Sequence, residues 1–200
     1  MARYIIGVDE VGRGPLAGPV TVGAVAAKGR FNFLRGIKDS KKLSARQREE
    51  WAQKIKIYNL KHEAFSFSLA SVGPVLIDKI GISAAARLAV GRCLAKLNKK
   101  GFRCRAANHK ILLDGSLYAP KTYLNQKTII RGDEKIQLIA AASIFAKIWR
   151  DKKMTRLHEQ FPKYRFDLHK GYGTKLHQKL VKKHGLSPLH RRSFCANIFS

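Results

Sequence analysis

The stretch YIIGVDEVGRGPLAGPVTVGAVAA, residues 4–27, constrains the fold more than any other part of the chain. Residues 4–8 and 20–27 are apolar and rich in β-branched side chains, the pattern of buried strands, and residues 12–19 supply glycine and proline for a turn. This predicts a hairpin with a long, glycine-rich loop. The stretch also carries an anomaly, because Asp9 and Glu10 stand side by side at the end of the first run. In a chain with 40 Lys and Arg, 13 Asp and Glu and a net charge of +27, acids are scarce. Two together at a strand end require an explanation.

The remaining chain alternates strand and helix signals. Ser44 is a good N-cap for a helix over 45–58, with Arg48, Glu49 and Glu50 on its exposed side. Residues 62–69, HEAFSFSL, alternate phenylalanine with serine, the period of a half-buried strand. Residues 83–97 repeat apolar side chains at helical spacing and end at Lys99, Lys100 and Gly101, a basic and then glycine stop. Short strands are expected at 110–113 and 127–130, a long helix at 135–160 stopped before Pro162, and a short helix at 175–184. Strands interleaved with helices place the chain in the α/β class. Two hundred residues suffice for one substantial core, so a single domain spanning 1–200 is expected.

The charge points to polyanions, nucleic acid first, with a merely solvated basic face as the alternative. No long segment confines its Lys and Arg to one amphipathic face, and no apolar run reaches the roughly 18 residues of a membrane span. No membrane partner is expected. Cys93, Cys104 and Cys195 lack the spacing of a zinc site or a disulfide framework, which suggests reduced thiols and a cytoplasmic protein.

Asp9, Glu10, Asp114 and Asp133 each follow an apolar strand, where α/β sheets carry their ligands. Taken alone, Asp114 before Gly115 reads as a turn former ahead of a catalytic group, and Asp133 reads equally as the N-cap of the long helix. If the three strand ends converge, the carboxylates repel one another unless a hard cation compensates them, and an all-oxygen set suits Mg²⁺ or Mn²⁺. Adjacent strand residues point to opposite faces, so the chain is expected to leave extended geometry at Asp9 and Glu10. Clustered acids in a basic body suit phosphodiester cleavage, in which metal ions stabilise the attacking and leaving oxygens while the basic surface holds phosphates.

The blocks GVDEVGRGPLAGPV, DSKKLS, LLDG, RGD, AASIFAKIWRD, HKGYGT and HRRSF occur in the order seen in ribonuclease HII, the type 2 ribonuclease H, and the chain resembles that family over nearly its whole length. The resemblance implies an RNase H-like fold, a central mixed sheet flanked by helices with a helical C-terminal part. It implies a core over about 1–160 and a basic substrate-binding segment over about 161–200. It further implies a metal-dependent endonuclease that cuts the RNA strand of RNA/DNA hybrids and nicks duplex DNA 5′ of embedded ribonucleotides, leaving 5′-phosphate and 3′-hydroxyl ends, in the service of DNA repair and replication. The substrates would be RNA/DNA hybrid and ribonucleotide-containing DNA duplex, and the protein a monomer.

By the same resemblance Asp9, Glu10, Asp114 and Asp133 are the metal-binding carboxylates, and Gly12, Arg13 and Gly14 read the 2′-hydroxyl through backbone groups. Tyr172 packs on the deoxyribose after the junction, and Lys41, Lys42, Ser143 and Lys147 contact phosphate. Asp151 is either a support of the site or a salt-bridge partner. The chain departs from the family at EKIQLIAAA, residues 134–142, where a proline before the apolar pair and a serine at position 140 are common; this bears on how Asp133 is oriented. The sister ribonuclease HIII is the nearest enzymatic alternative, though it carries a glutamate at the last carboxylate. A non-catalytic basic binding module is the alternative from another class.

Overall fold

The computed structural model describes residues 4–28, 32–37, 40–63, 65–102, 104–105 and 109–199. Strands β1 (Tyr4–Val11) and β2 (Val20–Lys28) form the expected antiparallel hairpin. Helix α1 (Ala45–His62) starts at a full capping box, in which the Ser44 hydroxyl accepts the Gln47 N–H and the Gln47 side chain accepts the Ser44 N–H. It runs four residues beyond the expected end, to a left-handed cap at Glu63, so the following strand is β3 (Phe65–Val72) rather than 62–69. Helix α2 (Pro74–Ile80), not anticipated from the sequence, has its proline in the first turn, where a missing N–H costs nothing. Helix α3 (Ile82–Lys99), β4 (Lys110–Asp114) and β5 (Gln126–Ile129) follow close to their expected places.

The sheet order is β3-β2-β1-β4-β5, with β1–β2 and β2–β3 antiparallel and β1–β4 and β4–β5 parallel. This is the mixed sheet that the resemblance implied. One face packs on α2 and α3, with Ile6, Val8, Val22, Leu94 and Leu113 buried between them. Burying each such side chain fully contributes about 1.5–3 kcal/mol.

The expected helix over 135–160 is divided. Arg131 adopts a left-handed conformation, φ 56°, and turns the chain from β5 into a single-turn helix, α4 (Gly132–Lys135). Ile136 is extended, and the long helix α5 (Gln137–Gln160) begins after it. Asp133 therefore sits in α4 rather than at a strand end, and it does not cap α5.

Helix α5 covers the opposite face of the sheet together with α1. Its approach is close because glycines lie beneath it: a Cβ at Gly7 would stand 2.3 Å from the Leu138 carbonyl carbon, and one at Gly23 would stand 2.4 Å from the Ala142 oxygen. The segment that departs from the family pattern thus supplies a flush, alanine-rich surface, with Leu138, Ile139, Ala140, Ala141 and Ala142 all buried.

The C-terminal part holds α6 (Phe166–His169) and α7 (Lys175–His184) and builds its own cluster from Met154, Tyr164, Phe166, Val181 and Cys195 around Ala17 of the hairpin loop. Among the described residues no helix is long and apolar enough to cross a membrane. The three cysteines are free and buried, and burial pushes the Cys93 and Cys104 thiols up to about 12.

Candidate active site

Strand β1 does not leave extended geometry at the acids. It stays paired with β2 through Val11, with Asp9 opposite Gly23 and Glu10 opposite Val22. The two side chains nevertheless share a neighbourhood because pairing of β1 with β4 stops at Val8 and Leu113, so the flank of β1 is open beyond that point. Asp114 is the last residue of β4, and its charge reaches both acids.

Asp9 is buried on the face covered by α5. Its Oδ1 accepts the Glu10 N–H at 2.7 Å, and the Ser143 hydroxyl on α5 bonds to its carboxylate. The Ser40 hydroxyl holds Ser143 in turn at 2.7 Å. Asp114 Oδ1 accepts the N–H groups of Gly132 at 2.6 Å and Asp133 at 3.4 Å. The start of α4 is thereby tied to the end of β4, which sets Asp133 beside Asp114. Lys41, in the 3-10 turn Ser40–Lys42, reaches Asp133 Oδ2 at 3.5 Å.

Burial is the main force on the two acids of β1, Asp9 and Glu10. It pushes the Asp9 carboxyl well above the ordinary range, with Glu10 and then Asp114 adding repulsion. It pushes Glu10 up to about 7, with Asp114 adding to the rise while Arg13 and Lys41 oppose it. Glu10 Oε2 is buried and has no hydrogen-bond partner, while Oε1 stands 3.9 Å from Arg13 Nη1.

Among the described residues no three acidic, histidine or cysteine side chains are gathered into a ready-made chelate. The donor set still fits a hard divalent cation: it is all oxygen, the Glu10 Oε2 atom is buried without a partner, and Asp9, Glu10 and Asp114 repel one another. Lys41 places a positive charge 3.5 Å from Asp133 Oδ2.

The other expected residues separate into groups. Gly12 has φ 86°, and a Cβ there would lie 2.1 Å from Arg150 Nε, so only glycine fits. Arg13 donates to Ser83 Oγ at 2.9 Å, and Gly14 is exposed. Tyr172 is half-exposed, with the Arg150 guanidinium 5.5 Å and the Lys147 ammonium 5.9 Å from its ring centre. Lys42 is not at the carboxylates; it pairs with Glu134 at 2.8 Å. Ser143 faces inward, toward Asp9 and Ser40. Asp151 forms ion pairs with Lys147 at 3.0 Å and Arg48 at 3.9 Å, the salt-bridge alternative. Asp39 of the DSKKLS block lies outside the described residues.

Three supports were not assigned from the sequence. Arg150 and Arg191 are both fully buried and bond to carbonyls of the 12–19 loop. Beneath Tyr172, buried His190 accepts the Ser187 N–H at Nδ1, which leaves its Nε2–H to donate to His177 Nε2 at 3.1 Å. His177 then donates from Nδ1 to the Tyr172 carbonyl at 2.9 Å. The blocks HRRSF and HKGYGT were the available signal, but burial is not visible in them.

The ribonuclease HII family model matches residues 6–197. The chain is 44% identical over 192 residues to a ribonuclease HII of Hydrogenovibrio crunogenus, covering 96% of this chain and 86% of that protein. It is 40% identical to a ribonuclease HII of Caldicellulosiruptor bescii, with 99% and 89% covered. Among solved structures, the ribonuclease H2 of Pyrococcus horikoshii superposes with a TM-score of 0.71 at 25% identity over 98% of this chain and 96% of that one. A match of this extent, over a fold with the same mixed sheet flanked by helices, settles the family: the chain belongs to ribonuclease HII, and it is a hydrolase of the RNase H endonuclease class.

Proposed function

We propose that this protein is a Mg²⁺- or Mn²⁺-dependent endoribonuclease that cleaves the RNA strand of RNA/DNA hybrids and nicks duplex DNA on the 5′ side of embedded ribonucleotides, in ribonucleotide removal during repair and replication. The observation that carries this reading is the set Asp9 and Asp133, buried, with Glu10 and Asp114, partly buried, brought near one another at the ends of β1 and β4 in a chain with net charge +27. A basic binding module has no use for such a set, because buried like charges cost free energy unless a cation or a reaction employs them.

In this reading the four carboxylates are the catalytic residues and the metal ligands. A divalent cation bound there would supply the positive charge that phosphodiester hydrolysis needs on its attacking and leaving oxygens. The chain's own groups do the rest. Ser143 and the Glu10 N–H fix the Asp9 carboxylate, and the α4 amides fix Asp114. Gly12, Arg13 and Gly14 meet the 2′-hydroxyl through backbone groups, which distinguishes RNA from DNA. Tyr172 lies against the next sugar. Lys41, Lys42 and Lys147 would contact phosphates, each on leaving its present carboxylate neighbour, Asp133, Glu134 and Asp151 respectively.

We further read residues 1–200 as one catalytic domain whose segment 161–200, with nine Lys and Arg against the single acid Asp167, holds substrate. Three free cysteines fit a reducing cytoplasm, and the site needs no second copy, so a monomer is expected. The test is Asp114→Asn on a duplex carrying one ribonucleotide. Loss of turnover with binding retained supports the nuclease, and unchanged turnover refutes it.

A further inference from the structure

The carbonyl groups of the glycine-rich loop are turned toward the protein interior by two arginines. Arg191 comes from the C-terminal segment and is completely buried. Its Nε donates to the Gly18 carbonyl at 3.0 Å, Nη1 to the Arg13 carbonyl at 2.8 Å and Nη2 to the Gly12 carbonyl at 2.6 Å. Arg150 on α5 donates from Nε to Pro19 at 3.0 Å and from Nη2 to Ala17 at 3.3 Å. The Arg191 backbone N–H donates to the Leu16 carbonyl at 2.8 Å.

A trans peptide plane directs its N–H opposite to its C=O. Holding the Gly12 and Arg13 carbonyls on Arg191 therefore turns the N–H groups of Arg13 and Gly14 outward. Gly14 is exposed, and a Cβ built on it meets nothing within 4 Å. Two successive outward amides beside Glu10 form a concave donor pair suited to a hydroxyl or anionic oxygen.

We propose that Arg191 is a positioning residue for ribonucleotide recognition: without touching substrate, its guanidinium holds the Arg13 and Gly14 amides in the orientation that meets the 2′-hydroxyl. This rests on the reading of residues 12–14 as the ribonucleotide reader. Discrimination between ribose and deoxyribose is thus tied to the C-terminal segment through one buried side chain. Lysine cannot replace it, since a single ammonium on a flexible stem does not span three carbonyls in a fixed fork.

The experiment compares wild type, Arg191→Lys and Val90→Ala, the last a core truncation between the sheet and α3 that leaves the loop untouched. Nicking of a duplex with one ribonucleotide is measured as kcat and KM, and binding of that duplex against an all-DNA duplex is measured in EDTA, at temperatures where each protein is folded. Displacement of a positioned group costs about 10²-fold in rate. Arg191→Lys should lose about that factor in kcat/KM, and its binding preference for the ribonucleotide duplex should fall toward one, while Val90→Ala keeps both. Equal preference in Arg191→Lys and wild type would overturn the proposal. Failure of wild type itself to nick at the ribonucleotide would remove the reading beneath it, an outcome visible without any variant. Should Arg191→Lys not fold, amide spectra of the unaltered protein decide. The Arg13 and Gly14 signals should shift with the ribonucleotide duplex and not with all-DNA, and signals that ignore a bound ribonucleotide duplex would refute the assignment.

Discussion

Replacing Glu10 with glutamine should stabilise the metal-free protein while destroying its activity. The Glu10 carboxyl, ordinarily near 4.5, is pushed up to about 7, chiefly by burial. The folded state therefore holds this proton more tightly than the unfolded chain does, a difference of about 3 kcal/mol at about 1.4 kcal/mol per pH unit. The sign follows directly: the stability contributed by the Glu10 proton is present below about pH 4.5, is lost as pH rises to about 7, and is absent above that. Glutamine removes the charge, and the attraction of Arg13, 3.9 Å away, and of Lys41 for that charge is already contained in the value of about 7. The gain at pH 8 is therefore about 3 kcal/mol. For a chain of this size that is a rise of about 6–12 °C in Tm. The assay is thermal unfolding in EDTA at pH 8 and pH 4.5, wild type beside Glu10→Gln. The gain should be present at pH 8 and largely absent at pH 4.5. A variant less stable than wild type at pH 8, or a gain independent of pH, would refute the electrostatic account of the site.

His177 and His190 are pushed down to about 4, mainly by burial, so both should remain neutral at pH 5.5. Their ring proton signals should not titrate near 6.5, and midpoints there would contradict the relay beneath Tyr172. The stability they contribute is present above pH 6.5 and is lost as pH falls toward 4. Gly7→Ala should destabilise the fold by pushing α5 off the sheet, since its Cβ would stand 2.3 Å from the Leu138 carbonyl carbon. Overpacking of this kind costs about 1–3 kcal/mol or more, read as a lower urea midpoint, and an unchanged midpoint would contradict the close approach. Affinity for duplex should fall steeply with salt, log K declining against log salt with a slope of about −0.9 for each phosphate contacted, and a flat dependence would refute a phosphate-dominated interface.

What could be read from the sequence was whatever depends on local pattern. The β1–β2 hairpin, the Ser44 cap and α3 follow from apolar period, side-chain chemistry and a glycine stop, and they stand where those signals placed them. The carboxylates were legible as scarce acids at strand ends, except that Asp133 belongs to α4. That displacement depends on a left-handed Arg131 and on amides that bond to Asp114, neither of which has a periodic signature. Asp9 and Glu10 were expected to require a break in the strand. The break is unnecessary because the neighbouring strand pairing ends before them, a tertiary fact. The buried arginines escaped notice for the same kind of reason. In a chain with 40 Lys and Arg, nothing local marks Arg150 and Arg191 as interior groups whose partners lie more than 130 residues away.

The most direct test of the central claim uses a labelled DNA duplex with one ribonucleotide, incubated with the purified protein in Mg²⁺, in Mn²⁺ and in EDTA, beside an all-DNA duplex and the Asp114→Asn variant. The account predicts a single metal-dependent nick on the 5′ side of the ribonucleotide, absent from all-DNA and from the variant. Folded wild-type protein that binds the duplex and leaves it intact with either metal would contradict it.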